Sequence, residues 1–170
     1  MTPSELKADG TPQRALITTR AEAQKAVLVA LESARHLVRA LHRDLSPFRL
    51  SSVDAVKRLH DVLLGRREAR IRLLVDDPFW LDSEAARLRL LQRRFSHAIE
   101  LRVASTEDAV GDDGYLIADD HSVLNLTAGR LLRGDLWLNH KPRVQPLAAA
   151  FDRRWDAAAH NLPVSPLGLD

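Results

Sequence analysis

The sequence predicts an α/β domain whose mixed, mostly parallel sheet carries helices on both faces. Apolar residues recur at helical and then at strand spacing three times along the chain, before a run of short strands and a closing helix. Alternation of this kind favours a largely parallel sheet with helices packed over it. A length of 170 residues suits one core, and a 45% hydrophobic composition is enough to fill it.

Met1 to Gln13, within a segment placed at 1–18, are polar and include Pro3, Gly10 and Pro12. They read as a flexible lead-in without the apolar stretch of a secretory signal. Thr19-x-x-Glu22 is a capping box that opens a first helix, with Val27, Leu28, Leu31 and Ala34 at helical spacing. His36 to His42 alternates after Leu37 and reads either as a strand or as a continuation of that helix. Ser51 and Ser52 precede a second helix striped by Val53, Val56, Leu59 and Leu63, which Gly65 ends. Ala69 to Val75 is the clearest strand, broken by Asp76-Asp77-Pro78. Asp82 or Ser83 is then expected to cap a third helix carrying Leu88, Leu91 and Phe95. Phe79-Trp80 falls in the loop before it, either tucked under the sheet or offered to a partner.

Strands are expected at 99–104, 115–118, 122–127 and 136–139. Pro142 and Pro146 open a last helix whose buried face is Leu147, Phe151, Trp155 and Ala158. The domain is therefore placed at 19–161, with 162–170 as a tail.

No apolar run approaches the roughly 20 residues that cross a bilayer, so no membrane partner is expected. The chain has no cysteine, which removes disulfides, thiolate metal sites and cysteine nucleophiles, and fits a cytoplasmic protein. Net charge is only +2, but it is unevenly distributed. Residues 31–102 hold 15 basic and 10 acidic side chains, whereas residues 103–121 hold six acids and no base.

Element order, the passage Arg66-Arg67-Glu68-Ala69-Arg70-Ile71-Arg72-Leu73-Leu74-Val75-Asp76 and the terminal Phe151-Asp152-Arg153-Arg154-Trp155 resemble one half of the phospholipase D-type (HKD) phosphodiesterase fold. The resemblance covers residues 21–159. It implies a histidine that attacks phosphorus, a lysine two residues on that holds the phosphate oxygens, and an aspartate that supports the motif. If Asp119 takes the aspartate position, Asp112 stands for the histidine and Gly114 for the lysine, and Leu126 and Thr127 stand near the family's Gly-Ser. The resemblance thus implies a degenerate member in which no catalytic residue is assigned. It also implies a homodimer, because active members pair two halves.

Asp112, Asp119, Asp120 and His121 form the candidate metal or ligand cluster, since oxygen-rich groups suit hard cations. Their spacing matches no calcium loop, and a hydrated turn is the favoured reading, so no metal and no cofactor is assigned. His140-Lys141 lacks the spacing of a catalytic pair. Arg66, Arg67, Arg93, Arg94 and Lys141 are candidate phosphate or nucleic-acid contacts, weighed against an ordinary solvated face. The leading expectation is a non-catalytic binding or scaffold module of unknown partner, for which another protein is one candidate. The alternatives are a metal-dependent phosphoesterase and a sequence-independent nucleic-acid binder.

Overall fold

Thr19 behaves as the capping box predicts: its Oγ1 accepts a hydrogen bond from the Glu22 amide at 3.1 Å and starts α1 (Arg20–Ser33). The computed structural model describes residues 1–7, 9–105, 107 and 113–158. Asp112 and the tail at 162–170 lie outside the described residues. Upstream of α1 runs β1 (Gln13–Ile17), and downstream follow β2 (Leu37–Leu41), α2 (Val53–Gly65) and β3 (Arg70–Val75). Then come α3 (Phe79–Glu84), α4 (Ala86–Arg94), β4 (Ile99–Val103), β5 (Asp113–Ala118), β6 (Ser122–Ala128), β7 (Leu132–Leu138) and α5 (Lys141–Ala157).

The strands form one mixed sheet in the order β1-β7-β6-β5-β2-β3-β4. Helical crossovers make β2-β3 and β3-β4 parallel. The remaining four pairings are antiparallel, so parallel pairing does not predominate as alternation suggested. The reason is local: the last three strands are joined by short turns, which permit only antiparallel neighbours.

Helices cover both faces. α1, α2 and α4 seal one face over the alternate strand residues Ala15, Ile17, Ala40, Ile71, Leu73, Leu101, Leu116 and Leu136, all buried. α5 covers the other face, packing Phe151 and Trp155 on Leu41 and Leu74, and Val144 on Ile117 and Val123. A buried Arg39 stands 3.8 Å from the Asp152 carboxylate and ties that helix to β2. In α2 the buried face is Ala55, Leu59, Val62 and Leu63, while Val53 is exposed.

Two expectations are corrected. The third helix is two helices hinged at Ala85, and it starts at Phe79, where the Asp77 carboxylate accepts from the Phe79 amide at 2.9 Å; Asp82 and Ser83 lie inside it. Residues 13–17, expected to be flexible, are a full edge strand with Ala15 and Ile17 buried against α1 and Arg14 bonded to Asp135 at 2.9 Å. Such a short strand, with only two apolar residues facing inward, gives little periodicity to detect. Ile17→Ala should therefore cost about 2–5 kcal/mol in urea unfolding. Leu16→Ala, at a half-exposed neighbour, should stay within about 0.5 kcal/mol. Equal effects at the two positions would remove β1 from the core.

Candidate functional site

Asp113, Asp119 and Asp120 of the acidic stretch lie at the two ends of one strand. Asp113 opens β5 and Asp119 follows its last residue, about 20 Å away at the rise of a β-strand. Asp119 adopts a left-handed backbone (φ 54°) in the β5–β6 turn and aims its carboxylate across to β2. There it accepts the amides of Arg35, His36 and Leu37 at 2.9, 2.8 and 2.9 Å. Burial works to raise its pKa, but the His121 side chain and these amides outweigh it and hold the carboxyl well below the ordinary range.

His121 Nε2 is 3.5 Å from Asp119, and its Nδ1 is 2.7 Å from Ser122 Oγ. Asp120 pairs with Lys141 at 3.5 Å, both exposed. The structure thus gathers Asp119, Asp120, His121 and Lys141 at one edge of the sheet, each already engaged with a neighbour. Among the described residues no group of three His, Cys, Asp or Glu is arranged to hold a metal ion.

At the other end of β5, Gly114 packs directly against β2. A Cβ at this position would lie 2.7 Å from the Leu41 carbonyl oxygen and within 2.9 Å of His42. His42 is buried, and its Nδ1 accepts the amides of Asp44 and Leu45 at 3.1 and 3.0 Å. These bonds start a strained β2–α2 loop in which Leu45 (φ 68°) and Arg49 (φ 49°) are left-handed non-glycine residues.

The predicted basic contacts divide differently. Arg66 and Arg67 follow α2, Arg93 and Arg94 close α4, and all four are exposed. They flank the amino-terminal ends of β3 and β4, the same edge as Lys141. Arg66 borders a cavity of about 640 Å³ between the ends of α1 and α2, where Glu32 and Asp61 offset Arg35 and Arg58.

The larger basic cleft, about 760 Å³, lies at the opposite, carboxyl edge. It is framed by the start of α1 (Thr18, Arg20), the strained loop (Ser46, Arg49, Ser51, Ser52), the α3–α4 hinge (Trp80, Glu84, Arg87) and the β6–β7 turn (Gly129 to Leu132). This is the edge where open α/β sheets place their ligands. With its amide oriented to satisfy both groups, Gln24 accepts from Arg49 Nε and Nη1 at 2.9 and 3.0 Å and fixes that side chain on the wall. Ser51 Oγ accepts the Leu88 amide at 3.1 Å and locks the loop to α4. Sequence reasoning missed Arg20, Arg49, Arg87 and Arg130 because they are far apart in the chain. The available signal was that the first three each follow a strand that ends in the same direction.

Asp119 yields a stability prediction. Its folded pKa is below the unfolded value of 3.8, so its contribution is fully present above that value and drains away as pH falls below it. Asp119→Ala should cost roughly 2–4 kcal/mol at neutral pH, because three amides lose a charged acceptor. It should also flatten the loss of stability below about pH 4. Urea midpoints of wild type and variant from pH 7 to about pH 3 test this; parallel curves would deny the carboxylate that role.

The fold is shared with solved structures of low sequence identity. TrmBL2, an archaeal chromatin protein, superimposes with a TM-score of 0.65 at 15% identity over 92% of this chain, which spans just over half (56%) of TrmBL2. Nuc from Salmonella typhimurium, a phospholipase D family member, gives 0.65 at 14% identity, covering 88% of this chain and 98% of Nuc. NucT from Helicobacter pylori gives 0.63 at 9% identity, covering 88% of this chain and 99% of NucT. No curated protein matches the sequence. Built on this phospholipase D-like fold, and matched by the family model over residues 19–164, the chain belongs to the family described as Domain of unknown function (DUF7931).

Proposed function

We infer that the protein is a phospholipase D-like binding module that no longer carries out the phosphodiesterase reaction. One observation carries this reading. With Asp119 set in the aspartate position, the phosphate-holding lysine falls at Gly114, where a Cβ would lie 2.7 Å from the Leu41 carbonyl oxygen of β2. A lysine is therefore not simply missing; the strand spacing has closed over its place. In an active member that lysine would be a fixed positive charge on the transferring phosphoryl group. The pairing of two copies that the resemblance implies is part of the proposal, and light scattering that finds a strict monomer at high concentration would remove it.

The metal-dependent alternative gains no observation in its favour. Asp119 spends its carboxylate on three amides, and Asp120 on Lys141. A cation would have to displace these bonds before it could polarise a substrate.

The test is turnover of bis(p-nitrophenyl) phosphate by purified protein with Mg²⁺, Mn²⁺ or a chelator. No turnover above buffer is expected in any arm. Cation-dependent hydrolysis that follows the protein through purification and disappears in Asp120→Asn would establish the metal enzyme instead. Gly114→Lys should not create activity, and should lower stability by about 1–3 kcal/mol or more as an overpacked site.

A further inference from the structure

We propose that the carboxyl-edge cleft is a nucleotide site, in which arginines hold the phosphate and Trp80 stacks on the base. The proposal rests on the reading above that the chain binds without reacting. Four guanidiniums, those of Arg20, Arg49, Arg87 and Arg130, face a cleft whose one carboxylate is Glu84. Arg20, Arg87 and Arg130 are exposed and form no ion pair among the described residues. Charge of one sign is thus concentrated and uncompensated, in a protein whose net charge is only +2. An arginine fork matches phosphate oxygens two at a time, and several forks around one cleft suit the multiple oxygens of a phosphate.

The apolar part of the site narrows the ligand further. Trp80 is anchored in the main core yet contributes to the cleft wall, which leaves a fixed aromatic surface beside the charges. Its neighbour Phe79 is 70% exposed. A ring next to guanidiniums is the pairing that base and phosphate require of a protein. A volume of about 760 Å³ is that of a ligand pocket rather than a surface dimple. An anionic bilayer would need the same side chains on a flat or convex face, whereas here they surround a concavity. The strained loop supports the assignment, because left-handed Arg49, bonded to Gln24, holds a guanidinium in the wall before any ligand arrives.

The same chemistry is offered by a free nucleotide and by a nucleotide within a single strand, and the experiment separates them. Two probes are titrated into the wild-type protein: a fluorescent ADP analogue and a labelled single-stranded DNA of about twelve nucleotides, followed by anisotropy. Saturable binding of either is expected. Arg87→Glu/Arg130→Glu should weaken it by about ten-fold or more and reduce the salt dependence by roughly two phosphate contacts. Arg66→Glu/Arg93→Glu, at the opposite edge, should change affinity less than about two-fold. Trp80→Phe should remove most of any ligand-induced tryptophan quenching, and Trp80→Ala should weaken binding by about five-fold or more.

Binding of both probes points to the free nucleotide, and binding of the strand alone to a polynucleotide; either supports the site. Binding of neither, equal weakening by the two charge reversals, or capture only by anionic vesicles overturns it. Gel analysis of the strand after titration keeps the two claims apart. Cleavage would defeat the non-catalytic reading and leave the binding site standing.

Discussion

The antiparallel seam between β2 and β5 is the contact on which the rest of the molecule depends. On one side of it lie the parallel strands β2, β3 and β4; on the other lies the meander β5-β6-β7, closed by β1. Both ends of the seam are fastened by something other than the ladder itself. At one end the Asp119 carboxylate gathers three successive amides entering β2. At the other, the missing side chain of Gly114 lets the Leu41 carbonyl and His42 come close. The aspartate supplies charge-assisted hydrogen bonds and the glycine supplies space, and each is effective only because the other fixes the register.

That seam also decides where chemistry is possible. Asp113 opens β5 and Asp119 follows its last residue, so acids that look clustered in the sequence are distributed to the two edges of the sheet. The amino edge becomes a place of mutual neutralisation, with Asp119 beside His121 and Asp120 beside Lys141. The carboxyl edge collects the ends of β1, β2 and β3, and with them four arginines around a cleft lined by a single carboxylate, Glu84. A chain nearly neutral overall thereby acquires one strongly positive concavity. Its field does not follow from net charge, only from topology.

Much of the fold was legible because local signals and tertiary needs agreed. The capping box at Thr19, Gly65 at the end of α2, the apolar run of β3 and the Phe151/Trp155 face of α5 each stand where their chemistry placed them. β1 was lost because its evidence is non-local: Ala15 and Ile17 make sense only once α1 and β7 are beside them. The start of α3 at Phe79-Trp80 does not show in the sequence because Asp77-Pro78 looks like a terminator, although it serves as a helix start. The parallel share was overstated because alternation reports crossovers, and the hairpins at the end carry no helix to count. The site was the least legible part. Four single arginines in four segments make no motif, and a glycine's meaning depends on what lies opposite it.

Binding and catalysis make different demands of a site, and they diverge at Gly114. Catalysis of phosphoryl transfer asks for interactions that grow in the transition state, which requires groups placed within bonding reach of a reacting phosphorus. Close packing of β5 on β2 removes the room for such a group. Exposed guanidiniums on surrounding loops make no comparable demand, since they hold a phosphate oxygen equally well before and after any reaction. Uniform binding of that kind gives affinity without rate. On the proposed reading, a fold closed at Gly114 and lined with arginines at its carboxyl edge is suited to holding a phosphate-bearing ligand.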